Sequence, residues 1–119
     1  MAYSSLPILD QQAIDQMISD TGAEVLPLII DSYLQESEQR LANIDKAIEQ
    51  SDCKTLEFEA HTLGSTSLAL GVQALGLLAR EIEQRCIEGD HAKAFALHTE
   101  VGRIAQQSRS ALETLKQAL

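Results

Sequence analysis

The side chains best suited to chemistry are one histidine on a predicted helix and two cysteines. His61 follows Ala60, a member of the apolar stripe of that helix, so its imidazole is predicted to lie on the solvent flank. Histidine suits phosphoryl transfer because its usual pKa of about 6.5 leaves a large neutral fraction at cellular pH. One ring nitrogen can attack phosphorus while the other keeps its proton and donates a hydrogen bond.

Two other chemistries are weaker predictions. Glu57 and His61 are spaced i, i+4 and could share a metal ion, but two ligands make a weak site. Cys53 and Cys86 form no CxxC pair and have no base at a recognisable spacing, so neither is predicted to be a catalytic nucleophile. We therefore expect no metal ion or other cofactor bound by the chain itself.

The elements that position His61 are predicted to be helices. Both prolines, Pro7 and Pro27, lie in the first quarter of the 119 residues, so nothing later forbids long helices. Alternating runs of β-branched or aromatic residues are absent, and the dominant residue types form helices well or tolerably. The sequence therefore predicts an all-α protein.

Capping residues divide the chain into five predicted helices. Asp10 is a predicted N-cap, Gly71 a predicted helix end, and Gly89 with Asp90 a predicted stop and cap. Pro27 predicts a kink or a later start in the second helix. The first predicted helix covers about Gln11 to Asp20, and the second runs from a capping box of Thr21 and Glu24 to about Gln50. The third begins at the Ser51 and Asp52 caps and ends at Gly71. The fourth covers about Val72 to Glu88, and the fifth about His91 to Ala118.

Long amphipathic helices with short links predict an antiparallel four-helix bundle with a short additional N-terminal helix. The length fits one domain over residues 1–119. Two tyrosines and two phenylalanines are the only aromatics, so the core is predicted to be aliphatic.

Small residues follow His61 on its own face of the predicted helix. Gly64 and Ser65 lie three and four positions after it, and a mid-helix glycine costs about 1 kcal/mol relative to alanine. One interpretation is close helix packing. The other is that these residues leave space for a bulky group or a partner to reach the imidazole.

The stretch AHTLGSTSLALG resembles the signature of the histidine-containing phosphotransfer (HPt) family, which is approximately A-H-x-L-K-G-S-S-x-x-L-G. The residues that match it without a gap are Ala60, His61, Leu63, Ser67, Leu70 and Gly71. The resemblance covers the whole chain and implies a four-helix bundle in which His61 is the phosphoacceptor. It also implies that the partners are response-regulator receiver domains and/or a hybrid sensor histidine kinase, with Mg²⁺ bound to the receiver.

Two departures from the family pattern bear on the chemistry. Gly64 replaces a lysine, and Ser65 replaces a glycine. The resemblance implies that the lysine helps to neutralise the phosphoryl group, so Arg80 and Arg85 on the following helix are candidate substitutes. Glu83, on the same helix, is either a group that orients the imidazole or, more commonly for such a residue, a solvated carboxylate.

The remaining site predictions concern docking and the other histidines. Leu68 lies seven residues after His61, so it either joins an exposed docking patch or borders the core. His91 is predicted to be an ordinary helix-start residue, and His98 a satisfied core or boundary histidine. The candidate docking face comprises Glu57, Thr62, Gly64, Ser65 and Leu68.

Charge and hydropathy limit the partners. The net charge of -9 disfavours binding to nucleic acid and to anionic membranes. No apolar run approaches the roughly 20 residues that span a bilayer, and no secretory signal precedes Leu6. We expect a soluble, cytoplasmic monomer with free thiols that relays phosphoryl groups. A helical adaptor that binds a signalling protein without phosphorylation is the alternative.

Overall fold

Helices make up most of the chain between Gln11 and Gln117. The computed structural model describes residues 3–119, apart from the side chain of Ser4. Within these residues no β-strand forms, and one isolated antiparallel bridge joins Leu9 to Val72. After a 3-10 turn at Tyr3–Ser5, the helices in chain order are α1 (Gln11–Thr21), α2 (Leu26–Glu49), α3 (Cys53–Leu70), α4 (Gln73–Ile87), α5 (His91–Ala96) and α6 (His98–Gln117).

The four longest helices enclose one aliphatic core. α3 packs most closely against α4 and next against α2, while α6 contacts both α2 and α4 and closes the bundle. α1 lies against α2 and α3. The predicted antiparallel four-helix bundle with a short additional N-terminal helix is confirmed. Its fully buried side chains include Ile30, Leu56, Leu63, Leu78, Ile82 and Ile104.

Three aspartates begin helices as the sequence predicts. The Asp10 carboxylate accepts hydrogen bonds from the backbone of α1, Asp52 accepts one from Thr55 N at 3.1 Å, and Asp90 accepts one from Lys93 N at 3.3 Å. Each carboxylate satisfies an N–H that the first helical turn leaves unpaired. Gly71 ends α3 in the left-handed conformation, with φ of 85°, which a glycine adopts at little cost.

The predicted capping box of Thr21 and Glu24 is wrong. Thr21 is the last residue of α1, and its hydroxyl donates to the Met17 carbonyl at 2.7 Å. α2 begins only at Leu26, so that Pro27 falls in the first turn. There its missing N–H removes no helical hydrogen bond, and its fixed φ suits the helix. The later start predicted from Pro27 is therefore the one observed.

The predicted last helix is interrupted at Leu97, which separates α5 from α6. Ala94 and Val101 are buried, but His98, expected on the same apolar stripe, is exposed and pairs with Asp45 on α2. The buried positions continue at three- and four-residue steps through Val101, Ile104, Ser108 and Leu112, so His98 is the member of the predicted stripe that lies outside it. α5 packs mainly on α4, whereas α6 contacts both α2 and α4.

The N-terminal segment braces the turn between α3 and α4. Asp10 N donates to the Gly71 carbonyl at 2.7 Å, and Gln73 N donates to the Ile8 carbonyl at 2.9 Å. Further along α4, the buried Tyr3 donates its hydroxyl to the Glu81 carboxylate. These contacts hold the helix pair that carries the candidate site. None of the helices in the described part of the chain has the length and apolar character needed to cross a membrane.

Candidate functional site

His61 lies midway along α3 and points away from the core. Ala60 and Leu63 are buried on the inner side of the helix, which turns the intervening flank outward. The His61 side chain is 54% exposed. The prediction that the imidazole lies on the solvent flank is confirmed.

Glu83 on α4 orients the imidazole. Its Oε2 lies 2.7 Å from Nδ1 of His61, and its side chain is only 17% exposed. Of the two predicted roles for Glu83, the orienting contact is observed, and the solvated carboxylate is wrong. A neutral ring with its proton on Nδ1 donates to this carboxylate and leaves the lone pair of Nε2 available. Among the residues that the structure describes, no group hydrogen-bonds to Nε2.

Arg80 covers the glycine one turn beyond the histidine. A Cβ added to Gly64 would lie 3.2 Å from Nε of Arg80 and 3.3 Å from its Cδ. The guanidinium continues to Ser65, where Nη2 donates to the hydroxyl at 3.3 Å. Gly64 is therefore buried, and of the two interpretations of the small residues, close packing is the one observed at this position, with Arg80 filling the space.

The same arginine also contacts the orienting carboxylate. Nη1 of Arg80 is 3.7 Å from Oε1 of Glu83, whose other oxygen contacts His61. The second candidate substitute for the family lysine, Arg85, pairs instead with Glu81 and Glu88, at 3.3 and 3.5 Å. Of the two predicted cations, Arg80 is thus the one that shares a partner with the histidine.

The rest of the predicted docking face is only partly accessible. Glu57, Thr62 and Leu68 are half-buried, and the Thr62 hydroxyl donates to the Phe58 carbonyl at 3.2 Å. The side chain of Leu68 packs over Gly76 on α4. The role of these residues in docking remains a prediction.

Phe58 is a surface residue near His61 that was not among the predicted site residues. It lies one turn before His61 and is 62% exposed, which is unusual for a residue type that normally buries much of its area. The sequence does mark Phe58 in one way, because it is a large aromatic residue outside the apolar stripe formed by Leu56, Ala60 and Leu63. It places apolar surface beside the imidazole.

Three polar contacts fix α3 against α2 behind the site. Glu59 accepts hydrogen bonds from Arg40 at 2.9 Å and from Asn43 at 3.1 Å. The hydroxyls of Tyr33 and Ser67 are hydrogen-bonded at 2.7 Å in the core. Because these contacts lie on the inner and α2-facing sides of α3, they leave the histidine flank free while limiting rotation of the helix.

The other two histidines differ from His61 in their surroundings. His98 pairs through Nε2 with Asp45 at 2.7 Å, and its side chain is 46% exposed. It is therefore satisfied, as predicted, but it lies at the surface and not in the core. His91 begins α5, as predicted, with its ring centroid 6.3 Å from that of Phe95.

The cysteines are free thiols, as predicted. Burial, followed by contact with Cys53 and the charges of Glu57 and Glu83, raises the pKa of the Cys86 thiol to about 12. Little of the nucleophilic thiolate therefore forms at neutral pH. Among the described residues, no three His, Cys, Asp or Glu side chains are grouped so that they could hold a metal ion.

A helical bundle with an exposed histidine that a carboxylate orients is an arrangement suited to carrying a phosphoryl group. The chain belongs to the Hpt domain family, whose sequence profile matches residues 28–119. Its function is therefore histidine phosphotransfer in a phosphorelay, as the sequence predicted.

Individual relatives agree with this assignment. The chain is 29% identical over 85 residues to the phosphorelay protein LuxU of Vibrio vulnificus strain YJ016. The aligned region covers 71% of this chain and 74% of LuxU. LuxU of strain CMCP6 matches to the same extent. The fold is that of histidine-containing phosphotransfer protein B of Pseudomonas aeruginosa PAO1, with a TM-score of 0.88, 23% identity, and coverage of 97% of this chain and 99% of that one.

Proposed function

We propose that this chain carries a phosphoryl group on Nε2 of His61, taking it from the aspartyl phosphate of one receiver domain and passing it to the aspartate of another. The observation that carries the proposal is the 2.7 Å contact between Nδ1 and Glu83. It occupies one ring nitrogen and turns the other to solvent on a rigid helix. In-line positioning is the main requirement that phosphoryl transfer places on such a group.

The proposed step needs no proton to leave the histidine. The Nε2 lone pair of His61 attacks phosphorus, the N–P bond forms as the bond from phosphorus to the aspartyl oxygen breaks, and the aspartate leaves as a carboxylate. The proton stays on Nδ1, so the ring of the product is positively charged. Glu83 accepts the hydrogen bond from that N–H and stabilises the positive ring. Transfer to the next aspartate is the reverse of this step.

The chain is a carrier and not a self-sufficient enzyme in this proposal. Mg²⁺ held by the partner receiver supplies charge neutralisation during transfer. The partners are receiver domains of response regulators and/or of a hybrid sensor kinase, in the cytoplasm, and the carrier acts as a monomer. The matching phosphorelay protein LuxU supports a position between such partners.

Labelling by a phosphorylated receiver domain tests the proposal. A receiver carrying radiolabelled aspartyl phosphate is mixed with the wild-type chain, and the transferred label is tested for acid lability and alkali stability, which identify a phosphohistidine. His98→Ala is the matched control for His61→Ala, because His98 is also exposed and also contacts a carboxylate at 2.7 Å. We expect label on the wild type and on His98→Ala and none on His61→Ala.

Two results would contradict the proposal. Equal labelling of the wild type and His61→Ala would place the phosphoryl group elsewhere. Absence of label across all receivers of the host, together with stable binding to one of them, would support the phosphorylation-independent adaptor instead.

A further inference from the structure

Arg80 and a side chain at position 64 compete for one space. A Cβ at Gly64 would lie 3.2 to 3.4 Å from three atoms of Arg80, a separation tighter than most real Cβ contacts. Glycine is a poor helix former, costing about 1 kcal/mol relative to alanine within a helix. The absence of a side chain at Gly64 thus allows the arginine of α4 to lie flat on α3.

The position of Arg80 brings its charge beside the imidazole. Ser65, which accepts from Nη2, lies one turn after His61, and side chains four residues apart on a helix are neighbours about 6 Å apart. Glu83 contacts Arg80 through one oxygen and His61 through the other. Two independent contacts therefore locate the guanidinium within about one turn of the reactive ring.

The charge balance changes when the histidine is modified. A phosphoryl group brings a charge of about -1.5 to -2 to a surface on which Glu83 already carries a negative charge. The Arg80 side chain remains 43% exposed and holds Glu83 at 3.7 Å, which is longer than a direct hydrogen bond. It can therefore turn toward a stronger anion at small cost, and a guanidinium binds phosphoryl oxygens in a bidentate fashion.

We propose that Arg80 binds the phosphoryl oxygens of phosphorylated His61 and stabilises the loaded state, and that Gly64 is the residue that makes room for it. The inference rests on the proposed function of His61. In the unmodified protein, contacts with Ser65 and Glu83 position the Arg80 guanidinium beside the His61 ring. On loading, the phosphoryl group replaces Glu83 as its main anionic partner.

The test measures how long the label on His61 survives and how much label accumulates at equilibrium with a phosphorylated receiver. Arg80→Ala is expected to lower both the lifetime and the equilibrium amount of the label by about tenfold. This loss is smaller than that of a fully buried charged hydrogen bond, because the site is partly exposed to solvent. Arg80→Lys is expected to retain part of the effect. Arg85→Ala is the matched control, because it removes the other arginine of α4, and we expect it to behave as the wild type.

A rescue experiment separates charge from packing. Gly64→Lys places a cation at the base of the same space, so in the Arg80→Ala background it is expected to restore the label lifetime to within about threefold of the wild type. In the wild-type background the added lysine displaces the Arg80 guanidinium, so one cation replaces another and little change in the label lifetime is expected. Thermal unfolding of each variant establishes that it is folded.

Two outcomes would overturn the role of Arg80. One is that Arg80→Ala accumulates the same amount of label as the wild type and loses it at the same rate. The other is that a folded Arg80→Ala is impaired but neither Arg80→Lys nor the added lysine at position 64 improves it. Failure of the proposed function is distinguishable from both, because His61→Ala would then label like the wild type or the wild type would not label.

Discussion

The side chain of Leu68 occupies the space that a Cβ on Gly76 would fill, with its Cγ and Cδ2 at 2.6 Å and its backbone N at 3.2 Å. α3 and α4 therefore approach closely at this point, near the turn that joins them. The contact fixes how the two helices are aligned along their length. That alignment determines which residues of α4 face His61.

Gly76→Ala is expected to lower the free energy of unfolding by about 1 to 3 kcal/mol, because the new methyl group overpacks the contact with Leu68. The matched control is Gly102→Ala in α6, where nothing lies within 4 Å of an added Cβ. That control is expected to gain up to about 1 kcal/mol from helix propensity. Chemical denaturation measures both. Equal effects of the two substitutions would contradict the packing argument.

Removing the carboxylate of Glu83 is expected to slow phosphoryl transfer to His61. Glu83→Ala loses the 2.7 Å contact to Nδ1 and is expected to reduce the transfer rate by about tenfold, whereas Glu83→Gln keeps an acceptor and is expected to lose about threefold. Rapid-quench labelling from a phosphorylated receiver measures these rates. Asp45→Ala, which removes the carboxylate beside His98, serves as the control and is expected to leave the rate unchanged.

Breaking the ion pair behind the site is expected to destabilise the fold. Glu59→Ala leaves the Arg40 guanidinium without its buried partner, and the expected loss is about 3 kcal/mol of unfolding free energy. Glu36→Ala removes the exposed carboxylate that also pairs with Arg40 at 3.3 Å, and less than about 1 kcal/mol is expected. Denaturant titrations compare the two. A loss for Glu36→Ala as large as that for Glu59→Ala would contradict this assignment.

Alkaline pH is expected to destabilise the protein partly through Tyr33. Burial raises the pKa of Tyr33 to about 12, while its hydrogen bonds to Ser67 and Ser37 act in the opposite direction. The raised value favours the neutral phenol, so its contribution to stability is complete below the unfolded pKa of about 10 and is lost as pH rises to about 12.

Unfolding free energies of the wild type and Tyr33→Phe across this range test the expectation. The phenylalanine variant lacks the titrating hydroxyl, so its stability is expected to fall less steeply between about pH 10 and about pH 12. Parallel curves for the two proteins would show that Tyr33 does not contribute to the pH dependence.

The sequence predicted those features that depend on local chemistry. Asp10, Asp52, Asp90 and Gly71 mark helix ends because each acts on backbone groups within a few residues of itself. His61 could be selected for the same reason, since its flank follows from the apolar stripe of a single helix. The family resemblance then supplied its role.

Other features depend on contacts between helices and could not be predicted from sequence patterns. Thr21 and Glu24 fit a capping box, but Pro27 is better placed in the first helical turn, which moves the start of α2. No residue type marks the interruption at Leu97. The choice between Arg80 and Arg85 required the alignment of α4 on α3, because both arginines lie near Glu83 in the sequence and only the packed pair shows which one covers Gly64.

The orientation of the His61 ring also has a kinetic consequence. Its one solvent-facing nitrogen is held in place by Glu83 from a neighbouring helix, so in the proposed relay the donor and acceptor receivers must occupy the same position by turns. An unloaded receiver then excludes a loaded one. The rate of phosphoryl exchange through the protein therefore depends on the ratio of loaded to unloaded receivers, and a large excess of either form slows the exchange.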